Sequence, residues 1–148
     1  VTTLLRDPQG FRLAIEQMAA PFTNANIELV VGIESRGFIL GSAVADRLGA
    51  GFVPVRKLGK LPSATIKASY ALEYGTDSLE MHRDAVSANQ RVLIVDDLLA
   101  TGGTANAAVS MVKQLGGSII GIAFLIELEA LKGRSRLEGE NLHVVLKY

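Results

Sequence analysis

Two adjacent carboxylates, Asp96 and Asp97, stand just ahead of the run Thr101, Gly102, Gly103, Thr104. Residues of these types in this order can hold a phosphorylated sugar. Gly102 and Gly103 open backbone angles closed to other residues and let an anion approach the main chain, while the hydroxyls of Thr101 and Thr104 can donate further hydrogen bonds. Asp96 and Asp97 would repel a phosphate they touched, but they suit paired sugar hydroxyls, directly or with a magnesium ion alongside. The two halves therefore serve different ends of one ligand, and a ribose 5-phosphate has both ends. No glycine-lysine-threonine or glycine-lysine-serine triplet follows the turn, which excludes a Walker A loop. The plain alternative is an ordinary strand-to-helix turn with Asp97 as a solvated strand end. The joint occurrence of acid pair, threonines and glycines argues against it.

The elements around this stretch must aim it. Residues 92–95 form a short apolar run that predicts a buried strand ending at the acid pair, and a helix is predicted over 105–115, stopped by Gly116 and Gly117. The unpaired amides of that helix's first turn, reinforced by its dipole, would then face the same spot as the glycine turn. A similar order occurs upstream: a strand over 29–33, then Glu34, Ser35, Arg36 and Gly37, then a helix from about 38 to 48. By residue type alone, Arg36 reads equally as an anion ligand or as a solvated arginine at a helix start. A third strand over 51–55 leads into a loop carrying Arg56, Lys57 and Lys60, closed by Gly59 and Pro62. Residues 68–82 predict a hairpin turned at Gly75 and Thr76, which would serve as a lid.

Asp7 before Pro8 predicts a helix start, with the helix running to about residue 20. A strand over 118–126, a short helix near 131–137 and a terminal strand over 142–147 complete the chain. Strands alternating with helices imply an α/β fold, a Rossmann-like parallel sheet flanked by helices, with every proposed anion site at a carboxyl strand end. The length of 148 residues suits one domain, 1–148. Fifteen basic and fifteen acidic residues cancel, so neither a global field nor a basic run points to nucleic acid. Cysteine is absent, which removes disulfides and thiolate metal sites and fits a cytoplasmic protein. No apolar run is long enough to span a membrane, and no signal peptide opens the chain.

Val-Leu-Ile-Val-Asp-Asp-Leu-Leu-Ala-Thr-Gly-Gly-Thr, residues 92–104, resembles the phosphoribosyl diphosphate motif of type I phosphoribosyltransferases, in the wording of the adenine phosphoribosyltransferases. Gly-Ile-Glu-Ser-Arg-Gly-Phe resembles that family's diphosphate loop, and Arg-Lys-Leu-Gly-Lys-Leu-Pro its Arg-Lys-x-Gly-Lys-Leu-Pro segment. The resemblance implies transfer of a 5-phosphoribosyl group from its magnesium-bound 1-diphosphate to adenine, giving AMP and diphosphate. It further implies that Ala100, Thr101, Gly102, Gly103 and Thr104 hold the 5-phosphate. Ser35, Arg36, Gly37, Arg56, Lys57 and Lys60 would hold the diphosphate, with Asp96 and Asp97 on the ribose side. Magnesium would be held through the substrate, not by protein side chains alone. The segment Ala-Ser-Tyr-Ala-Leu-Glu-Tyr-Gly-Thr-Asp-Ser-Leu-Glu is similar to the family's mobile catalytic loop, so that Glu73 aligns with the acid or base at the purine N7 and Tyr74 with the aromatic that closes over the site. By itself Glu73 reads as an exposed hairpin carboxylate. His82 is assigned no role.

The family often has a cis peptide where this chain has Glu34 and Ser35, and the resemblance implies a homodimer. It also has a Pro-Gly-x-x-Phe-Arg-Asp segment upstream of the stretch that Thr-Thr-Leu-Leu-Arg-Asp-Pro resembles, and this chain begins after it. The expectation is phosphate binding with weakened discrimination among purines. Two rivals stand beside this reading: xanthine or guanine specificity, which the motif wording disfavours, and a non-catalytic ligand sensor, which should carry a DNA-binding extension and a basic face.

Overall fold

The computed structural model describes residues 1–62, 64–72 and 75–148, with Leu72 described by its backbone only. Helix α1 (Thr2–Arg6), which the sequence reading did not anticipate, leads into α2 (Pro8–Ala19). The Asp7 carboxylate caps α2 by accepting the Gln9 amide at 3.2 Å, with proline at the first helical position. Strand β1 (Leu29–Ile33), helix α3 (Arg36–Leu48) and strand β2 (Gly51–Lys57) follow. The hairpin β3 (Thr65–Leu72) and β4 (Gly75–His82) precedes β5 (Arg91–Leu99), α4 (Gly103–Gln114), β6 (Ser118–Glu127) and β7 (Leu142–Lys147).

All of these strands join one seven-stranded sheet in the order β3-β4-β2-β1-β5-β6-β7. From β2 to β7 every pairing is parallel, and the hairpin is attached antiparallel to the outer side of β2, with Arg56 opposite Glu80 and Lys57 opposite Leu79. Period-two alternation divides the core between the faces. Val31, Val92 and Ile94 pack with Met111 and Val112 of α4, while Val30, Leu93 and Val95 pack with Met18 of α2 and Leu40 and Val44 of α3.

Several boundaries differ from those expected. Strand β5 does not stop at Val95; Asp96 and Asp97 lie inside it, because β6 continues alongside and pairs Leu98 with Ile126 and Leu99 with Glu127. Arg56 and Lys57 belong to the end of β2, held there by β4, so the loop proper starts after Lys57. Gly75 and Thr76 are in β4, opposite Leu72 and Ala71, and do not form the turn. The short helix near 131–137 is a pair of 3-10 turns, Glu129–Leu131 and Gly133–Leu137, separated by Lys132 in the left-handed region at φ 54°.

Candidate active site

In an open parallel sheet the ligand crevice lies outside the carboxyl ends of the strands, where the strand order reverses. Here the chain builds outward from β1 to β2 on one side and from β5 to β6 and β7 on the other, so the reversal falls between β1 and β5. The segments leaving those two strands are Glu34 to Gly37 and Ala100 to Thr104. A cavity of about 270 Å³ opens at this point, lined among others by Arg36, Asp96, Asp97, Thr101, Gly103 and Tyr70. The remaining members of the 100–104 loop also line it, whereas Ser35, Gly37, Arg56, Lys57 and Lys60 do not.

The 100–104 loop is shaped by its main chain. Gly102 is at φ 87° and immediately precedes α4, whose N-terminus no side chain caps. A Cβ at Gly102 would lie 2.5 Å from the Gly133 carbonyl oxygen, and one at Gly133 would lie 2.4 Å from the Ala100 carbonyl oxygen. The 3-10 turn at Gly133 is therefore seated directly against the loop, backbone on backbone. It is tethered from behind by Arg134, whose Nε donates to both carboxylate oxygens of Glu127 at 3.0 and 2.8 Å. Glu127 itself is only 2 % exposed.

Asp96 and Asp97 are each 7 % exposed. The Nε of Arg36 donates to Asp97 at 2.6 Å, and the Asp97 amide donates to Asp96 Oδ1 at 2.9 Å. Burial pushes the Asp96 carboxyl well above its ordinary range, and the negative charge of Asp97 adds to the effect. Close approach of α3 is possible because Gly37 has no side chain: a Cβ there would come within 2.9 Å of Asp96 Oδ1. Among the described residues no group of three or more His, Cys, Asp or Glu could hold a metal ion. The pair supplies two carboxylates, one already engaged by Arg36, so a divalent ion fits here only where a ligand's own oxygens complete its shell.

The segments after β1 and β2 are joined by charged side chains. Glu34 Oε1 accepts the Lys57 amide at 2.9 Å and Arg56 Nε at 3.3 Å. The Lys57 amide is the main reason that the Glu34 carboxyl is held below its usual range, with the Arg56 guanidinium contributing in the same direction. Arg56 also lies over the Phe38 ring at 5.7 Å, a cation–π contact. Lys57 turns to the hairpin, where its Nζ bonds the Tyr70 hydroxyl and sits 2.9 Å from Asp77. These two hydrogen bonds, Tyr70 first, raise the Lys57 pKa. Between Glu34 and Ser35 the peptide is cis, as the family resemblance implied. Glu73 and Tyr74 lie outside the described residues.

The phosphoribosyl transferase domain model matches residues 1–145. The adenine phosphoribosyltransferase of Koribacter versatilis is 57 % identical over 148 residues, covering 100 % of this chain and 81 % of its own length. The chain belongs to the adenine phosphoribosyltransferase family. Among solved adenine phosphoribosyltransferases, that of Rhodothermus marinus superposes with a TM-score of 0.96 at 55 % identity, covering 99 % of this chain and 84 % of its own. That of Saccharomyces cerevisiae, complexed with an imino-altritol bisphosphate and adenine, gives 0.91 at 43 % identity, covering 97 % and 83 %. The type I phosphoribosyltransferase fold expected from the sequence is thereby established.

Some residues that shape the candidate site were not among those expected. Glu34 stands in a quoted motif and Tyr70 in the hairpin without a role of their own, and Glu127, Gly133 and Arg134 are given none. Glu34 meets Lys57 across 23 residues and Gly133 meets Ala100 from a different segment, so no local spacing marks them; Arg134 and Glu127 are only 7 residues apart. The glycine of Gly133 next to Arg134, after an acid-tipped strand, was the one available signal.

Proposed function

We infer that the chain transfers the 5-phosphoribosyl group from 5-phosphoribosyl 1-diphosphate to adenine, giving AMP and diphosphate, the reaction of purine salvage. Its similarity to adenine phosphoribosyltransferases over the whole chain supports this reading. The observation that carries it is a cavity placed between the buried acid pair and an uncapped helix N-terminus, which matches the two ends of a ribose 5-phosphate.

Rupture of the anomeric bond develops oxocarbenium character, so the protein's task is to fix the ribose, stabilise departing diphosphate and exclude water. Residues Ala100 to Thr104 take the 5-phosphate through main-chain amides and threonine hydroxyls. Asp96 and Asp97 take the ribose hydroxyls. Arg36 has its Nε on Asp97, which directs the rest of its guanidinium towards the diphosphate. Arg56 and Lys60, with the amides of Ser35 and Gly37, complete the diphosphate side, and Lys57 holds the hairpin to it.

Glu73 is assigned proton transfer at the base and Tyr74 closure over the reacting centre, both on the resemblance of their segment to the catalytic loop of the family. The hairpin serves as the lid. Magnesium would be held near Asp96 and Asp97 through the substrate's own oxygens, and would supply neutralisation of charge on the leaving diphosphate. Residues 1–148 form one phosphoribosyltransferase domain, supported by the family match over 1–145 and by one sheet running through the chain. A homodimer and a cytoplasmic location accord with the family; no helix among the described residues is long and apolar enough to cross a membrane.

The test is AMP formation from adenine and phosphoribosyl diphosphate with magnesium, beside guanine, hypoxanthine and xanthine. Turnover that favours adenine over the other three bases, reduced about 10²-fold or more in Glu73→Gln, is expected. Equal turnover of all four bases, or none with adenine, would sink the assignment.

A further inference from the structure

Glu80 is a carboxylate in the middle of the sheet extension, 4 % exposed, which neither the ribose nor the phosphate chemistry requires. Its Oε1 accepts three successive backbone amides, those of Gly59, Lys60 and Leu61, at 3.1, 3.1 and 3.0 Å. Its Oε2 accepts the Thr65 hydroxyl at 3.3 Å. On the main chain Glu80 pairs with Arg56 on one side and Lys67 on the other. One side chain of the hairpin therefore gathers the whole turn that follows β2, including the left-handed Gly59 at φ 84°.

Three consecutive amides converging on one point form a concave donor site, which a short flexible loop adopts only when an acceptor occupies it. Here the acceptor is internal, buried and ionisable, and it reaches the loop from a different strand. Without it, these three amides would lose their common acceptor and the turn would relax.

We propose that Glu80 is a positioning residue for diphosphate: it fixes the Gly59 to Leu61 turn so that Lys60 and the neighbouring Arg56 present their charges in one geometry, and it makes that geometry depend on the docking of the hairpin. The proposal rests on the reading of Arg56 and Lys60 as diphosphate ligands. The 5-phosphate loop, on the other side of the strand-order reversal, shares none of these bonds. Loss of Glu80 should therefore separate the two ends of the substrate, which a general loss of folding would not do.

The experiment is calorimetric titration of AMP and, separately, of magnesium diphosphate into the wild-type chain and into Glu80→Ala, Glu80→Asp, Glu80→Gln and Arg56→Ala. Glu80→Ala removes the acceptor, and Glu80→Asp keeps the charge but withdraws it by one methylene. Both should weaken diphosphate about tenfold while AMP binding stays within about threefold. Glu80→Gln keeps an oxygen within reach and should restore diphosphate binding to within about threefold of wild type. A Glu80→Ala or Glu80→Asp variant that binds both ligands like the wild type would overturn the proposal. If Arg56→Ala also leaves diphosphate unaffected, the assignment of that side of the site fails with it; if Arg56→Ala weakens diphosphate, only the role of Glu80 fails. Should neither Glu80 variant bind AMP, amide exchange at Gly59, Lys60 and Leu61 in the wild type decides: slow exchange is expected, and exchange at the free-peptide rate would overturn the assignment.

Discussion

The two sides of the candidate site, proposed to hold the 5-phosphate and the diphosphate, are built from different materials. The loop after β5 takes its form from backbone contact, with Gly102 against the Gly133 carbonyl and Gly133 against Ala100, and the helix end beside it has no side-chain cap. The segments after β1 and β2 are held by side chains: Arg36 on Asp97, Arg56 on Glu34 and Lys57 on Asp77. A site made of main chain is formed before its ligand arrives and loses little on binding. A site made of paired charges must exchange partners when an anion enters. On the proposed assignment, the division suits a substrate whose 5-phosphate stays bound throughout while its diphosphate arrives, separates and leaves.

Substitution at Gly102 should break the first half most severely. Alanine there would have to hold φ 87° and place its Cβ 2.5 Å from a backbone oxygen, so neighbouring main chain must move. The left-handed angle alone costs about 1–2 kcal/mol, and the displaced loop adds to it. Gly102→Ala should weaken AMP about a hundredfold in a direct binding titration, with diphosphate much less affected.

Arg36→Ala should strike the second half and the boundary between the two. It removes the proposed diphosphate ligand and leaves Asp97, only 7 % exposed, without its cation. Diphosphate affinity should fall by about tenfold to a hundredfold, and chemical denaturation should show a loss of about 1 kcal/mol, moderated because the arginine is half exposed. Unchanged diphosphate binding would show that Arg36 serves the acid pair alone.

Asp96 stands at the junction, and its protonation gives the comparison a pH axis. Its folded-state pKa is raised above the ordinary 3.8, so the folded chain holds the proton more tightly than the unfolded chain. The stability this gives is complete below pH 3.8 and is lost as pH rises through the folded value. Asp96→Asn has no proton to lose and keeps an oxygen for the Asp97 amide. It should melt at a higher temperature than the wild type at neutral pH, with the gap closing as pH falls through the raised folded value and gone below 3.8. A gap that stays constant across that range would remove the titration from the account. The smallest effect is expected at the hairpin: Lys57→Met removes a half-exposed ion pair and should speed amide exchange in β3 and β4 a few-fold while leaving AMP binding unchanged.

The main-chain half was the more legible in sequence. Thr101 to Thr104 lie together, and glycine announces a backbone need by its own type, as the φ of Gly102 bears out. Strand β5 was placed correctly but cut short, because Asp96 and Asp97 look like the end of a strand until β6 and Arg36 supply the pairing and the counter-charge. The side-chain half was legible as a list of cations and not as a structure. Glu34 meets Lys57 across 23 residues, Glu80 meets Lys60 across 20, and Arg36 meets Asp97 across 61, separations at which no periodicity acts. Gly133 offered only its residue type beside Arg134 as a signal. Its value lies in a contact with Ala100 that only the folded chain creates.

The most direct measurement of this division is a crossed titration, AMP and magnesium diphosphate each into Gly102→Ala and Arg56→Ala. The account predicts that Gly102→Ala loses AMP while retaining most of its diphosphate affinity, and that Arg56→Ala weakens diphosphate about tenfold while AMP stays within about twofold. Equal losses of both ligands in both variants would contradict it, and would mean that the two loops form a single cooperative site.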